Sequence, residues 1–232
     1  MPTSYRWYRL RVRGVDGASE IEERLLAYSG EASFRRLTDQ TEQMVCAYGA
    51  EIWVDRFDGD GGLIRERVEG VATVQFSLID KSDIVMRVAN PPRNLRVLMS
   101  ALEEALDFRL SVTPLVVTLE GNSAVIASVD VRKLTSLKVH NVVVGNDCVA
   151  RMEFASKDGL RIEDLHPIVG LDYQITHVRY DLEHDAVKGT LVMASNGLVR
   201  IGGALSPYLR QMVEVDVFCV AAQRHGSSAA SD

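Results

Sequence analysis

Apolar and polar residues alternate with a period of two along most of this chain, the pattern of β-strands with one face turned inward. The first stretch, SYRWYRLRVRG at residues 4–14, separates into two rows. Tyr8, Leu10 and Val12 form one; Tyr5, Trp7, Arg9, Arg11 and Arg13 form the other. The spacing predicts a strand with an oily face and a cationic-aromatic face, stopped by Gly14 and Asp16-Gly17.

QMVCAYGAEIWVDRF, DGDGG and LIRERVEGVATVQFSLID then read as two strands joined at a Gly/Asp turn. Val74, Phe76 and Leu78 alternate with Thr73, Gln75 and Ser77 in the second run, and its length predicts a bend or bulge at Gly70. A turn at Lys81-Ser82 leads to a strand with Ile84, Met86 and Val88. LSVTPLVVTLE, LKVHNVVV, VARMEFA, YQITHVRYDL, VKGTLVMA, LVRIGG and MVEVDVFCV continue the β pattern. Asn196-Gly197 predicts a type I′ hairpin turn, because both residues accept positive φ.

Helical spacing is rarer. Ser19 and Glu22 have capping-box spacing, and Ile21, Leu25 and Tyr28 follow it, which predicts a helix over 20–28. Asn90-Pro91-Pro92 opens a second, with Leu95, Leu98, Met99, Leu102 and Leu106 on one face and its end near Asp107. DGLRIEDLHPIVG is a third, kept short by Pro167. Residues 31–42 and 121–137 carry no decisive period. The expected fold is α+β, with a largely antiparallel or mixed sheet and two or three short-to-medium helices. A division into two β-rich lobes, 1–120 and 121–220, with a disordered tail at 221–232, competes with one continuous domain.

Composition fits a folded chain: 47% of its 232 residues are hydrophobic and 25% charged. A net charge of −6 argues against a surface that is basic throughout, so any nucleic-acid contact must be local. The odd cysteine count and apolar settings of Cys46, Cys148 and Cys219 point to free thiols in a reducing compartment. With neither a leader-like start nor a long apolar run, the expectation is a soluble, cytoplasmic protein without membrane partners.

Candidate chemistry is sparse. Tyr5 and Trp7 can stack on bases while Arg9, Arg11 and Arg13 meet phosphates, a workable single-strand platform. The competing reading pairs those arginines with carboxylates inside the fold: Glu51 and Asp55, or Glu214 and Asp216 if MVEVDVFCV lies alongside as a strand. Arg132, Lys133 and Lys138 form a weaker basic cluster. DRFDGDGG fails the EF-hand register and reads as a turn. DLEHD, residues 181–185, is too tight to enclose an ion alone, although His184 can serve a site completed from elsewhere. Phosphate-loop, dinucleotide and nucleophile-elbow motifs are missing, and no cofactor is implied. These features favour a non-enzymatic binding or assembly protein acting through protein partners or self-association. The alternatives are a nucleic-acid binder using Tyr5, Trp7, Arg9, Arg11 and Arg13, and a metal-dependent hydrolase with dispersed carboxylates.

Overall fold

A computed structural model describes residues 2–37, 43–117, 123–143, 148–169 and 172–226, with side chains described as far as Ala221. Its strands are β1 (Thr3–Val12), β2 (Ala32–Arg36), β3 (Met44–Phe57), β4 (Leu63–Asp80), β5 (Ile84–Ala89), β6 (Leu110–Leu115), β7 (Val131–Val143), β8 (Val149–Ala155), β9 (Gln174–His184), β10 (Val187–Ala194) and β11 (Val199–Gly203). Its helices are α1 (Ala18–Ala27), α2 (Arg96–Ala105), α3 (Ala124–Ala127), α4 (Ile162–Val169) and α5 (Ser206–Gly226). The pattern is α+β, sheet-dominated and mostly antiparallel. Among the described residues no helix is long and apolar enough to cross a membrane.

The chain packs into two compact units, residues 10–112 and residues 1–9 with 113–232, crossing between them within β1 and β6. The boundary near residue 120 expected from sequence lies outside the described residues, as does the tail from 227 onward. Residues 221–226 belong to α5.

In the second half of the chain, β11, β10, β9, β7 and β8 follow one another in the strand order, and the start of β1 pairs β11 from Thr3 to Tyr5. α5 packs against β10 and β11. The expected strand MVEVDVFCV is therefore a helix. Its valines fit either period, but Leu205, Leu209, Val213, Val217 and Ala221 recur every fourth residue and are all buried. Val215, which a strand would bury beside Val213 and Val217, is exposed. Gly203 lets the chain turn into α5: its φ is +85°, and a Cβ there would sit 2.8 Å from the Lys188 carbonyl oxygen.

In the unit formed by residues 10–112, β2, β3, β4 and β5 form an antiparallel ladder, with α1 packed on β2 and β4. α1 starts at Ala18, so Ser19 lies inside the helix and the expected capping box does not form. Asp80, at the end of β4, accepts the Ala18 N–H at 2.9 Å instead. A distant carboxylate thus satisfies an orphan donor and faces the positive end of the helix. α2 begins at Arg96, later than Asn90-Pro91-Pro92 predicts. Asn94, not Asn90, accepts the Arg96 N–H.

The turns also differ from expectation. Asn196 lacks the positive φ of a type I′ turn; Gly197 alone is left-handed there, and Asn196 Oδ1 accepts the Leu198 N–H. A pair of consecutive left-handed residues sits one hairpin earlier, at Asp185-Ala186 between β9 and β10. β4 runs through Gly70 without a bulge, in continuous register with β3.

The two-row reading of β1 holds only at its end. Trp7, Tyr8, Arg9 and Leu10 are buried in succession, so both rows are enclosed there. β1 is an interior strand, and an interior strand covered on both faces loses its alternation. The Arg9 guanidinium, 5% exposed, donates to the Ala221 carbonyl oxygen in the last turns of α5. A cation there also meets the negative end of the helix dipole. Replacing Arg9 with Met keeps most of the apolar stem but removes this charged donor. The Arg9→Met variant is expected to lose about 1.5–3 kcal/mol in urea unfolding, against less than about 0.5 for Arg13→Ala. Equal losses would contradict a structural role for Arg9.

Candidate interaction surfaces

β3 and β4 are longer than their sheet. β2 pairs β3 from Met44 to Tyr48, and β5 pairs β4 from Gln75 to Asp80. Beyond those limits, among the described residues, β3 and β4 pair only with each other, out to Phe57 and Leu63. The result is a two-stranded arm closed by a turn in which Asp58 Oδ1 accepts from the N–H groups of Asp60 and Gly62. That turn is the DGDGG segment, and its carboxylate oxygen serves its own backbone.

Register assigns the arm's faces. Glu51 and Glu69, Trp53 and Arg67, Asp55 and Arg65, and Phe57 and Leu63 are opposed on one face. Arg65 bridges Asp55 and lies over the Trp53 ring, 5.8 Å from its centroid, and Arg67 bridges Glu51. The other face carries Ile52 opposite Val68, Val54 opposite Glu66, and Arg56 opposite Ile64, with Arg56 bridging Glu66 at 2.8 Å. Its Ile52, Val54, Ile64 and Val68 form an exposed aliphatic stripe. Trp53, Phe57 and Leu63 are 58%, 75% and 66% exposed. Glu51 and Asp55 thus answer β4 arginines and do not lie beside β1, whose place in the strand order is between β5 and β11.

A second surface lies at the end of β1. Arg11 and Arg13 line a cleft of about 480 Å³ with Phe108, Arg109 and Ser111. The Arg13 N–H donates to the Arg109 carbonyl, which brings the two basic segments together. Phe108 follows Asp107 with both residues left-handed, at φ +57° and +55°. Such a backbone disfavours a bulky side chain, yet the Phe108 ring stands 75% exposed beside the guanidinium groups. Of the residues read as a platform, Arg11 and Arg13 are exposed and Tyr5 is half-buried, its ring 5.7 Å from that of Trp7. Trp7 and Arg9 are closed off from solvent. The weaker basic cluster lies along β7, where Lys138 bridges Glu153 at 2.9 Å.

Two other groupings lie apart from these surfaces, and in the second a residue from elsewhere in the chain joins His184 of DLEHD. The Tyr28 hydroxyl donates to Glu104 beside Tyr48, Val97 and Ser100, and this hydrogen bond, then burial, raises the Tyr28 pKa. In DLEHD, Asp130 joins His184 and Asp185. Its carboxylate accepts the Asp185 N–H at 2.9 Å and lies 3.3 Å from His184 Nδ1, while the imidazole stacks on Tyr208 at 4.6 Å. Asp130 thereby fastens the β9–β10 turn. Burial, then Lys138, lowers the His177 pKa, which favours the neutral imidazole. Cys46 is in the core, where burial pushes its thiol up to about 11; Cys148 and Cys219 are exposed, unlike the apolar settings expected for them.

No protein-family model matches this sequence, and no curated protein matches it. The arm left a trace in the sequence all the same. From Glu51 to Glu69 neither row of either strand is purely apolar, whereas Val74, Phe76 and Leu78 are. Phe108 and Arg109 left none, because only the fold brings them beside Arg13.

Proposed function

We propose that this protein is a non-enzymatic binding and assembly protein that engages a protein partner through the β3–β4 arm. One observation carries the reading: a two-stranded ribbon exposes apolar side chains on both faces, and no strand among the described residues pairs with either of its edges. An isolated two-stranded hairpin is marginal in water, and an open edge is a template for another strand. A partner that adds a strand and covers the aliphatic stripe removes both costs. The cross-strand ion pairs keep the arm soluble until then. The hydrolase alternative gains nothing comparable, since the Asp130 carboxylate holds the Asp185 N–H in a turn.

A second reading rests on the cleft at Arg11, Arg13 and Arg109. Guanidinium groups beside an exposed phenyl ring suit single-stranded nucleic acid, through phosphate contact and base stacking. It uses the exposed end of the first strand without Trp7 or Arg9.

Ala50 and Gly70 are directly opposed, so an Asn-Gly turn in place of residues 51–69 closes the hairpin. This shortened-arm protein should keep its melting temperature within about 4 °C of the parent. It should lose the cross-linked complexes that the parent forms in extracts of its native cells; unchanged complexes would overturn the arm reading. For the second reading, an Arg11→Ala/Arg13→Ala/Arg109→Ala variant should bind a single-stranded oligonucleotide more weakly. Its slope of log K against log salt should be shallower by about 2. Equal slopes for parent and variant would dismiss it.

A further inference from the structure

We propose that the arm's partner is a second copy of this chain, joined along the outer edge of β4 in a twofold-symmetric antiparallel pairing centred on Val68. The inference rests on reading the arm as the docking element. From Leu63 to Val74 no strand among the described residues lies on the outer side of β4, and Val68 and Glu69 are the two central residues of that stretch.

Charge order along this edge selects the register. A twofold axis relating two antiparallel β4 edges stands perpendicular to the sheet, so each face continues across the junction. One residue then meets its own copy on the axis, and its neighbours meet each other. With Val68 on the axis, Arg67 faces Glu69 of the second copy and Glu69 faces Arg67 of the second copy. Moving the axis by one residue puts Arg67 against Arg67 or Glu69 against Glu69, like charges directly opposed. Within its own arm Glu69 already stands opposite Glu51, whose bridge goes to Arg67. A second copy's Arg67 answers that charge.

The apolar face agrees. Val68 meets Val68, and Ile64 meets Ala72 of the second copy, so the aliphatic stripes merge across the axis. Two marginal ribbons become one four-stranded sheet, above the three strands that independent stability requires. The pairing is isologous and closes on itself, so it ends at a dimer.

Analytical ultracentrifugation over a dilution series tests this with the full chain. The parent should sediment as a reversible dimer. Glu69→Arg relieves the Glu51–Glu69 opposition, so the arm remains intact, yet it sets Arg67 against a like charge at position 69 of the second copy, on both sides of the axis. Its dimer dissociation constant should rise at least about tenfold. Arg67→Glu/Glu69→Arg restores opposite charges in the same register and should return the constant to near the parent's. A monomeric parent, an unaffected Glu69→Arg variant or a double variant that stays dissociated would each overturn the proposal. A monomeric parent whose cross-linked complexes still depend on the arm would remove the second copy and keep the arm reading. A monomeric parent with complexes indifferent to the arm would remove both.

Discussion

A β-strand must find partners for its backbone groups and cover for its apolar side chains, and β1 and the β3–β4 arm meet that demand in opposite ways. β1 is enclosed on both faces from Trp7 to Leu10. The enclosure accommodates even a guanidinium, because Arg9 reaches the Ala221 carbonyl near the end of α5. A buried cation without such a partner would cost several kcal/mol. The arm, built from similarly alternating sequence, has no covering element on either face among the described residues. Burial, more than local pattern, separates the enclosed strand from the exposed arm.

Carboxylates show the same division of labour. Asp80 and Asp216 serve helix N-termini, Asp80 at Ala18 and Asp216 at Ala124 and Val125. Asp130 fastens a turn, and Asp58 closes the arm's tip. Glu51, Asp55 and Glu66 answer arginines across the arm. These seven acidic residues, dispersed along the chain, each serve a backbone donor or a guanidinium group. Such assignments make a carboxylate-rich chain specific in shape.

Much of the fold was legible in the period of the apolar residues. The β3–β4 hairpin, β5, β9, β10, β11 and the short helix containing Pro167 follow from it. The failures have physical causes. Val213 and Val217 satisfy both a two-residue and a helical repeat, and burial of Leu209 and Ala221 is what favours the helix. Ser19 lost its capping role to Asp80, remote in sequence. The two faces of β1 could not be told apart, since a single strand does not reveal what packs on either side. The arm's mixed rows were visible, but their meaning depends on the absence of cover, which only the packed chain displays.

The central claim is that the outer edge of β4 in the arm is a working interface. Hydrogen exchange over residues 63–73, followed at several protein concentrations, tests it most directly. An edge engaged by another chain slows exchange at alternate amides in the centre of that segment, and dilution releases the protection together with dissociation. Exchange of the outward amides at the rate of free peptide, unchanged by concentration and by addition of native cell extract, would contradict the account.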